Sequence, residues 1–243
     1  MRTSKIFLVA LLALLFLPLA GQTEEEGTAS AFSADLGADL VSSYVWRGLA
    51  LDNAANIQGS GEIGLGGFFA GAWASVNFTG TYQETDLYAG YGIGNFTLSV
   101  TDYFIGWEDY FNFIHDQTGH VGELIASYTI SENIPLTFTL GTLFYGADKK
   151  LDTDTTFSSQ NNYSTYLEMM YPFSVGETEL SLVAGGVLQE SAFYMTEGAA
   201  LINLGIAVSK EIKFTELFSL PISFALTVNP ELENVYTVFK ISF

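Results

Sequence analysis

The chain has 243 residues, 27 of them acidic and 8 basic, and it contains no cysteine. Those counts exclude a disulfide scaffold and thiolate metal sites. They also exclude nucleic acid as a natural partner, because phosphate binding needs a basic surface.

The first segment reads as a secretory leader. Arg2 and Lys5 make a basic start, and residues 6–20 are an apolar run broken only by Pro18. Such a run is too short and wrongly flanked for a spanning helix, so residues 1–21 are expected to be a signal peptide. Cleavage is expected near Ala20 to Gln22. Without Arg2 and Lys5, six basic residues face 27 acidic ones. Residues 22–32, with Glu24, Glu25 and Glu26, read as a disordered periplasmic stub.

From Ser33 to Phe243 the chain alternates apolar and polar residues with a period of two, which places them on opposite faces of strands. The fold class this predicts is all-β: a transmembrane antiparallel barrel of about 12 strands with up-and-down topology, spanning 33–243. The first strand is expected over about 33–47, with Leu36, Ala38, Leu40, Tyr44 and Trp46 outward. The second covers 56–65. The third runs over 68–78, with Phe68, Ala70, Ala72 and Ala74 on one face. The fourth lies near 85–91 and the fifth over 96–103. A loop of some fifteen residues follows, expected to narrow the lumen. The sixth is near 121–130 and the seventh over 136–145. A long polar loop covers 146–162. The eighth is 163–171, turned by 172–178, and the ninth is 179–188. The tenth is 200–208, the eleventh 219–228, and the twelfth ends the chain. The alternative counts are ten or fourteen. The turns after even-numbered strands are short and the odd ones longer, as outer-membrane barrels require. Only 209–218 breaks that rule, so either the turn is longer there or a strand extends into it. A soluble β-sandwich is the rival fold, opposed by aromatics at 15% of the chain and by an outer face that would precipitate in water.

The motifs divide into bland and informative. Gly59, Gly61 and Gly64 spell G-x-G-x-x-G, but inside a strand, where they ease curvature rather than bind a dinucleotide. His115 and His120 are the only histidines. They read as solvated loop residues in preference to a cation or lipopolysaccharide bridge, or to a hydrolase centre, so no catalytic residue, cofactor or metal is expected. The lumen face says more. Alternation turns Asp39, Glu62, Asp86, Glu123, Glu168 and Glu179 inward, against only Arg47 and Lys240. Six acids cannot all pair with two bases, which points to a hydrated path of negative potential. Arg47 and Asp86 are expected at similar height, as a rim ion pair or an entrance guard.

Ser42 to Gly48 reads SSYVWRG, Asn56 to Ile63 NIQGSGEI, Gly67 to Phe78 GFFAGAWASVNF and Glu84 to Gly92 ETDLYAGYG. Together these resemble the TorF-type family of outer-membrane porins, a group described as conserved bacterial proteins of unknown function. The terminal Phe243 resembles the signal read by the barrel assembly machinery. The resemblance implies an outer-membrane location and a porin label. It also implies roles for Tyr44, Trp46, Arg47, Gly48, Gly71, Trp73, Ser75, Asp86 and Tyr88. The function expected is passive diffusion of small hydrophilic solutes with weak cation preference, by a non-enzymatic protein meeting lipid and lipopolysaccharide. The alternatives are a structural or adhesive barrel without an open pore and, behind it, a barrel hydrolase.

Overall fold

A computed structural model describes residues 32–153, 156–215 and 218–243. The expected leader and nearly all of the stub lie outside the described residues; Phe32, assigned to the stub, opens the first strand.

The strands in chain order are β1 (Phe32–Val41), β2 (Tyr44–Trp46), β3 (Leu49–Asp52), β4 (Asn56–Leu65), β5 (Phe68–Asn77), β6 (Gln83–Ile93), β7 (Phe96–Ile105) and β8 (His120–Thr129). Then come β9 (Thr137–Gly146), β10 (Lys149–Thr153), β11 (Thr156–Asn161), β12 (Thr165–Val175), β13 (Thr178–Val187), β14 (Ala200–Thr215), β15 (Phe218–Asn229) and β16 (Asn234–Ser242). Twelve of them close in the order β1-β16-β15-β14-β13-β12-β9-β8-β7-β6-β5-β4, every neighbour antiparallel. Closure removes both sheet edges, so each of these twelve strands finds its backbone partners within the ring.

Alternation sets the two faces. Phe68, Ala70, Ala72, Ala74 and Val76 of β5 are exposed outside, and Phe69, Trp73, Ser75 and Asn77 are buried inside. The outer face is apolar almost throughout; Leu36 is 91% exposed and Phe68 66%. The rim that carries Phe32 and Phe243 has tight connections, such as the two residues between β4 and β5, where Gly66 takes φ +61°. The opposite rim carries the long ones. The strand expected over 200–208 extends into 209–218, one of the two alternatives for that stretch: β14 continues to Thr215 in register with β15. The strand expected over 163–171 starts at Thr165 and runs on through Pro172, opposite Ser181, to Val175.

Among the described residues, two hairpins stand off the ring: β10–β11, inside the long polar loop expected over 146–162, and β2–β3. The second corrects the expectation of a first strand running to Arg47. β1 ends at Val41. Ser42 diverts the chain there, exchanging its backbone N–H with the Phe239 carbonyl at 2.9 Å while its hydroxyl accepts the Phe239 N–H. A two-residue turn, Arg47 (φ 47°) and Gly48 (φ 79°), then joins Trp46 to Leu49. Two successive positive φ values make the mirror-image turn that suits strand twist.

Candidate functional site

The β2–β3 hairpin folds into the barrel. Tyr44, Trp46 and Leu49 are buried in one cluster with Trp73, Tyr103, Val121, Leu143, Tyr166, Val187, Tyr194 and Ile202, which come from the wall strands β5, β7, β8, β9, β12, β13 and β14 and from the 188–199 connection. Tyr44 and Trp46, expected to face outward, are therefore inside; the reversal follows from the hairpin leaving the wall. Gly48 presses the hairpin tip onto β14 so closely that a Cβ there would collide with the Ile202 carbonyl. Its own carbonyl accepts from Asn229 Nδ2 at 2.9 Å.

At the tip, Arg47 makes a fork-shaped pair with Glu123 of β8, Nη1–Oε1 2.6 Å and Nη2–Oε2 3.1 Å. The expected Arg47–Asp86 rim pair does not form. The hairpin carries Arg47 across the lumen toward the opposite wall, out of the β1 position from which it would face β6. Tyr194 Oη accepts a further Arg47 N–H at 2.6 Å, and Tyr103 Oη donates to Glu123 Oε2 at 2.7 Å. The guanidinium lies over the rings of Trp46 and Tyr166, 4.5 and 4.6 Å from their centroids. Tyr194 stacks on both rings, at 5.7 Å from Trp46 and 5.9 Å from Tyr166. Gly141 leaves room for the pair: a Cβ there would meet the Glu123 carboxylate. A doubly hydrogen-bonded, ring-stacked ion pair of this kind is among the stronger polar contacts a protein makes.

The remaining expected lumen residues do face inward but fall into separate groups. Lys240 Nζ lies 3.3 Å from Asp39 Oδ2. Beside them, Asp39, Gln58, Ser223 and Lys240 help to line a cavity of about 30 Å³, room for one water. Glu168 accepts from Tyr166 Oη at 2.6 Å and Asn203 Nδ2 at 3.3 Å. Asp86 is buried, and its Oδ1 has no hydrogen-bond partner among the described residues. Its neighbour on the same face of β6, Glu84, is buried too and accepts from Tyr82 Oη at 2.5 Å. Glu62, half-buried on β4, sits opposite Asp35, which with Ser60 is exposed. Glu179 is half-buried on β13. The lumen is thus filled around the hairpin, while on the β1–β4 side near the rim with the termini Asp35, Ser60 and Glu62 are exposed or half-buried and line an acidic vestibule; on the β8–β9 side of that rim Ser127 and Thr137 are buried.

Residues 25–220 match a family described as bacterial protein of unknown function (Gcw_chp). The chain belongs to the Gcw_chp family. No curated protein matches it. A closed β-barrel is typical of outer-membrane proteins, and this Gcw_chp barrel has the apolar outer face that such proteins carry.

The connection from β7 to β8 does not narrow the Gcw_chp lumen, contrary to expectation. It folds over the outer face, because His120 and Asp102 occupy outward positions of β8 and β7. His120 is 0% exposed and no solvated loop residue. Its Nδ1 lies 2.8 Å from Asp102 Oδ2 and its Nε2 2.6 Å from the Tyr110 carbonyl, with Phe104 and Phe113 against its ring. His115 is only half-buried and is paired with Asp116 at 2.7 Å. The lumen is narrowed instead by β2–β3 and by residues 188–199. Ser191 of that connection shares a hydrogen bond with Ser164 at 2.7 Å, and Ser164 donates to Asp148 at 2.6 Å.

Tyr103, Tyr166, Tyr194 and Glu84 escaped the sequence reading. For Glu84 the signal was present, since it lies two residues before Asp86 on one face. For Tyr194 there was none: it sits in a connection without periodicity.

Proposed function

We propose that this Gcw_chp protein is an outer-membrane barrel whose lumen is a gated, cation-preferring path for small hydrophilic solutes, and that the β2–β3 hairpin is the gate. The observation that carries this is the Arg47–Glu123 pair, a salt-bridge link across the lumen between a hairpin that is not part of the wall and the far wall. A barrel that needed only to be solid could fill its centre with apolar side chains, and burying an ion pair gains little over such packing. Ionisable groups at membrane depth are a default mark of a transport path. The acids of the vestibule favour cations entering from the rim with the termini, the periplasmic rim in this topology. The resemblance to TorF-type porins over residues 33–107 supports the same reading, which includes lipid and lipopolysaccharide around the barrel and the assembly machinery during insertion. It assigns the protein no catalytic step.

The second reading, a structural barrel without a path, is favoured by the buried aromatic packing around Trp46. Planar bilayers separate the two. The wild type is expected to conduct rarely, and a variant with 44–52 replaced by a Gly-Ser linker to conduct continuously with cation preference. A linker variant that inserts and never conducts sinks the gated reading.

A further inference from the structure

Arg47 sits in a cage that its own hairpin did not need to build. Glu123, Tyr103 and Tyr166 belong to wall strands, and Tyr194 to the 188–199 connection, so all four stay when the hairpin withdraws. What they offer is specific: a buried carboxylate with both oxygens turned to one partner, a ring face 4.6 Å from that partner's charge centre, and a hydroxyl within 2.6 Å as a further acceptor. The Glu123 carboxylate is already oriented by Tyr103 Oη at 2.7 Å, whatever lies opposite it. A carboxylate presented edge-on matches the parallel N–H pair of a planar guanidinium, whereas an ammonium meets it as a point charge; aromatic faces attract either.

We propose that this cage is a binding site for a guanidinium-bearing solute and that Arg47 is its tethered occupant. In the closed state the hairpin holds Arg47 there at high effective concentration. A solute cation arriving from the vestibule competes for Glu123 and the Tyr166 face, and its binding favours the state in which the hairpin is withdrawn. Differential affinity of this kind is what a ligand needs to shift such an equilibrium. The inference rests on the gated-lumen reading for its role in transport, but the site itself can be tested without transport.

The test uses the full chain refolded in detergent. Arg47→Ala empties the cage, and methylguanidinium is titrated against methylammonium and sodium at matched ionic strength while thermal unfolding is followed. At roughly ten times its dissociation constant, methylguanidinium is expected to raise the Tm of Arg47→Ala by about 3–6 °C. Methylammonium is expected to do less, and sodium nothing. Wild type, with the cage filled, and Arg47→Ala combined with Glu123→Gln are expected not to respond. If Arg47→Ala does not refold in sodium, the same series is read as refolding yield, which methylguanidinium is expected to restore. Equal responses to all three cations, or an unchanged response in the double variant, overturn the site. Bilayer recordings are scored separately. Guanidinium-specific binding without conductance in any variant keeps the site and removes the gated path.

Discussion

Arg47 and Glu123 are each nearly or wholly shielded from solvent, at 4% and 0% side-chain exposure, so each depends on the other for its charge to be tolerable there. Removing one partner leaves an uncompensated charge, which costs about 3–5 kcal/mol, while replacing both with apolar residues of similar volume is often close to neutral. Arg47→Met alone is therefore expected to lower the unfolding free energy in detergent by about 3–5 kcal/mol. Arg47→Met with Glu123→Leu is expected to recover most of that loss, limited by Tyr103, whose hydroxyl would lose its acceptor. Thermal or denaturant unfolding of the single and double variants decides the matter. A single variant as stable as wild type would mean that the ion pair contributes nothing to holding the hairpin. The same arithmetic explains why Gly141 is tolerated in β9: its missing side chain gives the carboxylate the space that the fork geometry requires.

At the scale of elements, the connections on the long-loop rim are tied to one another and not only to the wall. Asp148 accepts the Ser164 N–H at 2.9 Å and its hydroxyl at 2.6 Å, and Ser164 in turn meets Ser191 of the connection that carries Tyr194. Burial raises the Asp148 carboxyl above its ordinary range, against the lowering effect of the Ser164 hydrogen bonds. A folded value above the unfolded one means the folded state binds the proton more tightly. Its contribution therefore favours folding as pH falls through the raised value toward the ordinary one, and is least favourable at neutral pH. Protease resistance of the 188–199 connection is expected to rise modestly on going from neutral to mildly acid pH in the wild type, and to be flat in Asp148→Asn, measured as a cleavage rate in detergent. An equal rise in both proteins would assign the effect to another group. These ties also mark the limit of what the sequence discloses. The ring was legible because alternation is a local signal: β4 spans the expected residues without error, β5 ends one residue early, and β8 and β9 are each shifted by one residue at both ends. The hairpin was not, because Tyr44, Val45 and Trp46 continue the apolar pattern of β1. Only Ser42-Ser43 and Arg47-Gly48, a bend and a positive-φ turn, show that the chain has left the wall. Glu123 and Lys240 were placed inward by parity alone, but which acid meets which base is decided by strands 76 and 201 residues apart in sequence, beyond any periodicity.

At the scale of the whole molecule, part of the chain's acidic excess gathers at the rim with the termini. Asp35, Glu62 and Glu211 face the vestibule near the rim with the termini, with Lys213 as a nearby base. They lie beyond the plug, so they do not decide whether the path is shut; they decide what enters it. In low salt, charges of one sign in a confined vestibule raise the local concentration of the opposite ion, and the effect weakens as the screening length falls from about 10 Å at 0.1 M to about 3 Å at 1 M ionic strength. In the linker variant that lacks the hairpin, reversal potentials are expected to report a several-fold preference for cations at low ionic strength. That preference should shrink toward unity at high ionic strength. Asp35→Asn with Glu62→Gln is expected to remove most of it at low salt while leaving the single-channel conductance at high salt nearly unchanged, because neither substitution alters the width of the ring. Glu123→Gln in the same background is expected to change selectivity at both salt concentrations, since that carboxylate lies deep in the lumen where bulk ions screen it less. Should the vestibule pair leave the reversal potential untouched at every ionic strength, cation preference would have to arise wholly from the level of Glu123, Glu84 and Asp86, and the acidity of the terminal rim would be a matter of solubility alone.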